Sequence, residues 1–327
     1  MLLCICKILW IYDLFPLLKL IMNYSKICLY VLLLGTILSY SQPIFAGGWT
    51  QPKNQLFAKA YIGTMLASSY KNLAGDNVFY KRDTSALYLN GRNYGMELSG
   101  ILAGLYAEYG LTDDVTLLLD VPVGRFALHE VYSSDDILFE GNTKADLSIT
   151  QAVYYGVGAR WKINTGKGVT SLSMMAKIPP GFHNGVANDP HPFLSDGAFQ
   201  IGGGLEFGYP FKESWLASSL LYNHRFEDLS DELSVHVELG AKNIPSTLIK
   251  IYVDILQSMS SFPTNEEFNP RRTILQESYV AAGASFGIYV SDNWFLDLEY
   301  SARFVGKNTW NIGTFSVGVG ATLPQMF

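Results

Sequence analysis

Trp294-Phe295-Leu296-Asp297-Leu298-Glu299-Tyr300-Ser301-Ala302-Arg303-Phe304 reads as two sequences interleaved. Trp294, Leu296, Leu298, Tyr300, Ala302 and Phe304 are all apolar or aromatic. The residues between them, apart from Phe295, are Asp297, Glu299, Ser301 and Arg303. Alternation with a period of two puts each set on its own face of a β-strand. A strand that crosses a bilayer at a tilt needs about 9–11 residues, the length of this stretch. An apolar face turned to lipid and a charged face turned inward describe a wall strand of a transmembrane barrel.

The same parity recurs along the chain. Leu233, Val235, Val237, Leu239 and Ala241 alternate with Ser234, His236, Glu238, Gly240 and Lys242, and Ile249, Ile251, Val253 and Ile255 with Lys250, Tyr252 and Asp254. Further strands are expected near 55–66, 98–109, 115–125, 146–163, 169–177, 198–209, 215–226, 278–290 and 309–323. The fold is therefore expected to be all-β: an antiparallel up-and-down barrel of about twelve strands, an even number that leaves both termini periplasmic. Short turns at 111–114, 164–168, 212–214, 243–247 and 291–293 belong to the periplasmic side. Longer connections near 67–97, 126–145, 178–197 and 260–277 belong outside, with shorter ones near 227–231 and 305–308.

Composition agrees with this class. The hydrophobic fraction of 49% with 16% charge and a mean hydropathy of +0.15 lies between a soluble protein and a helical membrane protein, because only alternate residues of a barrel strand face lipid. A net charge of −6 offers no basic footprint for a nucleic acid.

The N-terminal region carries an export signal. From Met22 the chain runs Met-Asn-Tyr-Ser-Lys, then an apolar stretch from Ile27 to Leu38, then Pro43-Ile44-Phe45-Ala46 before Gly47-Gly48-Trp49. That is a basic start, an apolar middle and a small residue at the cut, so residues 22–46 are read as a signal peptide and 47–327 as the mature barrel. Residues 1–21 repeat no signal feature. They are read as an upstream mis-start, the alternative being a retained anchor. Cys4, Cys6 and Cys28 all precede the cut, which excludes disulfides and cysteine chemistry from the mature chain. At the other end Phe327, with Gln325, Leu323, Ala321, Val319, Val317 and Phe315 counted back by twos, resembles the signal by which assembly machinery recognises outer-membrane barrels.

The opening Gly47-Gly48-Trp49-Thr50-Gln51-Pro52-Lys53 and the segment Tyr106-Ala107-Glu108-Tyr109-Gly110-Leu111-Thr112-Asp113 resemble a proteobacterial family of uncharacterised outer-membrane barrels. That family is similar to the phenol-degradation-pathway barrels, which are related to long-chain fatty-acid transporters. The resemblance implies uptake of small, often apolar compounds. The long N-terminal plug of the fatty-acid transporters is not expected here, since the first strand begins soon after the mature start. No functional residue carries over by motif.

Inward parity collects Lys59, Arg160, Lys162, Lys242, Lys250 and Arg303 with Glu108, Asp120, Glu206, Glu238, Asp254, Asp297 and Glu299, and adds His236. Charges are costly toward lipid and tolerable in a wet lumen. They line a polar path, or they pair into a network that fills a narrow interior; spacing alone leaves both open. Gly283, Gly287, Gly318 and Gly320 share the inward face and are expected to leave room for a path. Ser234, His236 and Glu238 invite comparison with a serine hydrolase, but same-face neighbours on one strand stand too far apart for proton transfer. His183, Asp189, His191 and Asp196 match no compact metal motif, and Gly202-Gly203-Gly204 has no helix after it to hold a phosphate. Lys81, Arg82, Arg92, Arg271, Arg272 and Lys307 fall in outer loops, where solvated charges or contacts to lipopolysaccharide phosphates both fit.

The expected function is passage of small molecules across the bacterial outer membrane. No cofactor, metal, nucleic-acid partner or enzymatic chemistry is called for, and the expected partners are membrane lipid, lipopolysaccharide and the assembly machinery. A closed structural barrel that binds envelope components, and a lipid-modifying enzyme, are the alternatives.

Overall fold

The computed structural model describes residues 47–67, 69–71, 75, 77–79, 92–134, 143–180, 198–226, 229–242, 244, 246–259 and 277–323. The expected export signal, most of the connections expected outside and Phe327 lie outside the described residues. Strands run in the order β1 (Leu56–Ala67), β2 (Ser69–Lys71), β3 (Asn77–Phe79), β4 (Arg92–Gly110), β5 (Val115–Ser134), β6 (Thr143–Ala152), β7 (Tyr155–Thr165) and β8 (Val169–Ile178). They continue as β9 (Gln200–Phe211), β10 (Ser214–Arg225), β11 (Glu232–Ala241), β12 (Thr247–Ser258), β13 (Ser278–Tyr289), β14 (Trp294–Lys307), β15 (Thr309–Trp310) and β16 (Gly313–Leu323).

All pairings are antiparallel, and β1 is hydrogen-bonded to both β4 and β16, so the sheet closes on itself. Closure satisfies every wall strand's backbone groups without water, the condition for crossing hydrocarbon. The segments β6 and β7 lie end to end along β5, interrupted at Val153 and Tyr154. The wall therefore counts twelve strands, as the periodicity predicts.

Several boundaries differ from the sequence expectation, among them the connection expected at 305–308, where β14 continues to Lys307. Residues 92–97 and 129–134 continue the β4–β5 ladder, and β6 follows β5 as far as Tyr132, so parts of the expected loops 67–97 and 126–145 are strand. Apolar alternation ends where lipid ends, whereas backbone pairing between β-forming residues such as Tyr94, Val131 and Tyr132 continues beyond it. The expected strand 309–323 divides instead. Only Gly313–Leu323 joins the wall, while Thr309–Trp310 pairs with β2, and β2 with β3, in a separate small sheet.

Side-chain parity follows the period. Along β14, residues Trp294, Leu296, Leu298 and Tyr300 are exposed, while Phe295 and Asp297 are buried. The outward face carries Trp161, Tyr209, Phe211 and Trp294 toward the short-turn end and Tyr155, Tyr222, Phe226 and Phe304 toward the other, all exposed. Two aromatic girdles of this kind mark the two membrane interfaces. Val237 is outward between them. Val237→Arg is accordingly expected to destabilise the folded barrel by about 2–4 kcal/mol near the bilayer midplane, read as a lower denaturation midpoint in liposomes.

Candidate functional site: the inner wall

The first described residues do not run outside the barrel. Gly47 lies against Ala217 of β10 and Gly48 against the backbone of Glu206 and Val169, so closely that neither has room for a side chain. Trp49 covers Gly208 of β9. The buried Ser171 hydroxyl donates to the Gly48 carbonyl, and the Gln51 N–H donates to Thr116 Oγ1 at 2.7 Å. Gln51 is 1% exposed. The segment thus crosses the inner faces of β4, β5, β7, β8, β9 and β10 and forms a floor at the short-turn end. The sequence reading expected no long N-terminal plug and did not anticipate that the short segment before β1 is itself internal. Its signal in the sequence is the Gly47-Gly48-Trp49 run, two residues without side chains followed by a large ring.

Arg160 of β7 anchors that floor. Its Nε donates to Glu206 Oε2 at 2.7 Å, and its Nη1 donates to Glu108 Oε1 and to the Trp49 carbonyl, both at 3.1 Å. Glu108 also accepts from Gln51 Nε2 at 2.8 Å and from the Tyr106 hydroxyl at 2.5 Å. All three charged residues are buried. A guanidinium with two carboxylates, each bonded further, is the arrangement in which buried charge is tolerable.

The other predicted residues complete a belt around the wall. Lys59 Nζ lies 2.7 Å from Asp297 Oδ2 and 3.7 Å from Glu299 Oε2. Glu238 accepts from Trp215 Nε1 at 2.7 Å and pairs with Lys250 at 3.2 Å. Asp120 accepts from the Tyr154 hydroxyl at 2.6 Å, and Glu299 from the Tyr252 hydroxyl at 2.5 Å. His236 Nδ1 lies 2.6 Å from Asp254 Oδ1. Arg303 bonds Glu277 and stacks at 3.9 Å on the Tyr279 ring. Lys162 instead turns to the rim, with Asp114 and the Asp113 carbonyl as partners, and Lys242 sits over the Tyr289 ring. The triple Ser234, His236 and Glu238 is not brought together, since His236 and Glu238 bond residues of neighbouring strands. Sequence parity placed Tyr252 inward but missed Glu277, which precedes its strand, and the partners Tyr106, Tyr154 and Tyr279.

The inward glycines correct one expectation. Gly283 lies under the Tyr252 ring, Gly320 under Phe295, and Gly318 under Asp297 and Lys59. Their missing side chains are filled by neighbours and leave no open space. A Cβ at Gly318 would stand 2.2 Å from Asp297 Oδ1 and 2.8 Å from Lys59 Cε. Gly318→Ala is expected to break the Lys59–Asp297 pair while the backbone stays paired, seen as a lower denaturation midpoint that Asp297→Ala in the same chain partly restores.

Register exposes one more feature. Lys162, Ser171, Glu206, Ser219, His236, Asp254, Ala281 and Arg303 are successive cross-strand partners from β7 to β14. Barrel strands tilt by about 35–45°, so such a row climbs the inner wall from the floor toward the outer end. Its middle members His236 and Asp254 retain side-chain exposures of 35% and 39%.

No protein-family model matches the sequence, and no curated protein matches it. Among solved structures, the chain is similar to the COG4313 outer membrane channel from Pseudomonas putida F1, at a TM-score of 0.57 and 11% identity, over 87% of this chain and 100% of that one. KdgM porin in complex with disordered oligogalacturonate aligns at a TM-score of 0.42 with 8% identity, over 81% of this chain and 99% of that one. NanC porin aligns at 0.43 with 8% identity, over 71% and 99%. The first likeness establishes a shared architecture: this chain has the fold of a bacterial outer-membrane β-barrel.

Proposed function

We propose that the protein resides in the outer membrane and lets small solutes pass through its own lumen, as a member of the uncharacterised barrel family that its Gly47–Lys53 opening resembles. The carrying observation is the climbing row of polar inward residues, whose middle members stay accessible inside the wall. The floor formed by Gly47–Lys53 narrows the lower end of that path. Lipid and lipopolysaccharide surround the barrel in this reading, and Phe327 directs its assembly.

Single-channel recording of the refolded mature chain tests the reading, with a second chain that starts at Gln55. Measurable conductance that rises when the floor is removed supports passage. The buried Arg160 network favours a second reading, a closed structural barrel. Silence in both chains would decide for it.

A further inference from the structure

Lipid sorts the outward face of this barrel, and β5 carries a departure from that sorting. Leu117, Leu119 and Val123 are exposed on its outward face, and the next position of the same parity is Arg125, also exposed. Among the described residues, no hydrogen bond or ion pair holds its guanidinium. An outward charge is costly at the bilayer midplane and nearly free only at the interfaces, so the height of Arg125 decides what it meets. Val115 is the register partner of Trp161, which belongs to the girdle at the short-turn end. From Val115 to Arg125 the strand rises about 24–28 Å, at about 3.4 Å per residue and a tilt of about 35–45°. The apolar band of such a barrel is about 25 Å tall. Arg125 therefore stands at the far border of that band, where headgroup phosphates lie.

Its neighbours on the outward face suit an anionic headgroup. Thr150, exposed, is its register partner on β6, and Ile101 is its partner on β4. One step farther out, Ser99, Ala127 and Ser148 are successive partners across β4, β5 and β6, with Ser148 exposed. Hydroxyl-bearing positions, and no bulky side chain, thus lie beside and beyond Arg125. The outer ends of β7, β8, β9, β10 and β14 instead turn Tyr155, Ile178, Ile201, Tyr222 and Phe304 outward. The polar shelf is confined to β4, β5 and β6 and is not a general property of the rim.

We infer that Arg125, with Ser99, Ser148 and Thr150, forms a binding site on the outer wall for a phosphate of the lipid A headgroup of lipopolysaccharide. The inference rests on the outer-membrane reading with the long connections outside, because the outward leaflet is the one that holds lipopolysaccharide. A guanidinium grips a phosphate through two parallel N–H···O bonds. The hydroxyls serve the sugar headgroup, and exposed Ile101 and Val123, toward the midplane, lie against the acyl chains.

The test titrates the refolded full mature chain, in neutral detergent, with deep-rough lipopolysaccharide by microscale thermophoresis. Parallel titrations use the same lipopolysaccharide with its phosphates removed, phosphatidylglycerol, and inorganic phosphate. Arg125→Gln is expected to weaken lipopolysaccharide binding about 10–100-fold, the range for hydrogen bonds to a charged group, and Arg125→Lys to weaken it less, since it keeps the charge and loses the fork. Removing the phosphates from the ligand is expected to match Arg125→Gln, each variant first being shown to be heat-modifiable. Undiminished binding by folded Arg125→Gln, or of dephosphorylated lipopolysaccharide, would overturn the inference. Equally tight binding of phosphatidylglycerol or inorganic phosphate would overturn it too, by showing a general anion site. Arg125 lies outside the lumen, so conductance is expected to be unchanged in Arg125→Gln. A silent channel thus leaves the lipid result standing, and failure to bind lipopolysaccharide leaves solute passage standing.

Discussion

Replacing Arg160 with methionine is expected to lower the stability of the folded barrel by about 3–5 kcal/mol, the usual consequence of removing one partner from a buried charge network. Glu108 and Glu206, both buried, lose their shared guanidinium, and the Trp49 carbonyl loses its donor. The floor loses its anchor to β7 at the same time, while the contacts of Gly48 with Ser171 and of Gln51 with Thr116 remain. Conductance is therefore expected to rise toward that of the chain that starts at Gln55. Denaturation midpoints in liposomes and single-channel amplitudes measure the two effects on one preparation. Restoring charge balance with Glu108→Gln and Glu206→Gln in the same chain is expected to recover much of the stability and none of the closure. An Arg160→Met barrel as stable and as narrow as the parent would show that the network neither holds the wall nor fixes the segment.

The largest effect on selectivity is expected from Asp120→Asn combined with Asp254→Asn. Both carboxylates face inward, and their direct partners are the Tyr154 hydroxyl and the His236 ring. Neutralising them leaves no lysine or arginine bereft of a salt-bridge partner. Charges that line a constricted path set the local potential and the ions admitted, so cation preference is expected to fall several-fold in reversal-potential measurements, with little change in folding. Asp297→Asn is the contrasting change. It strips Lys59 of its 2.7 Å partner, and Glu299 at 3.7 Å replaces that contact only in part. Stability is expected to fall there while selectivity moves less. If Asp120→Asn with Asp254→Asn left ion preference unaltered, solutes would not pass along that part of the wall.

The strand wall was legible residue by residue because lipid enforces it. A charge turned outward is costly at every position between the girdles, so the parity of Leu296, Asp297, Leu298 and Glu299 declares which side each residue faces. The small sheet of β2, β3 and β15 was not legible, because Tyr70 and Trp310 pack on Leu98 and Phe126, a contact between segments far apart in sequence that no local period encodes.

The inner wall divides the same way. Sequence alone determined which charges lie inside, since periodicity is local and the membrane reads it directly. Which charge meets which was decided only by closure, tilt and register. Lys59 and Asp297 are 238 residues apart and meet because β1 and β14 both flank β16 in the closed wall. Ser219, His236 and Asp254 align because three strands share one register. Gly47 to Lys53 lacks alternation altogether, so no period marked it as internal, and the Gly47-Gly48-Trp49 run signals a close approach without saying to which strands. Its place follows from the inner faces of six strands that exist together only once the barrel has closed.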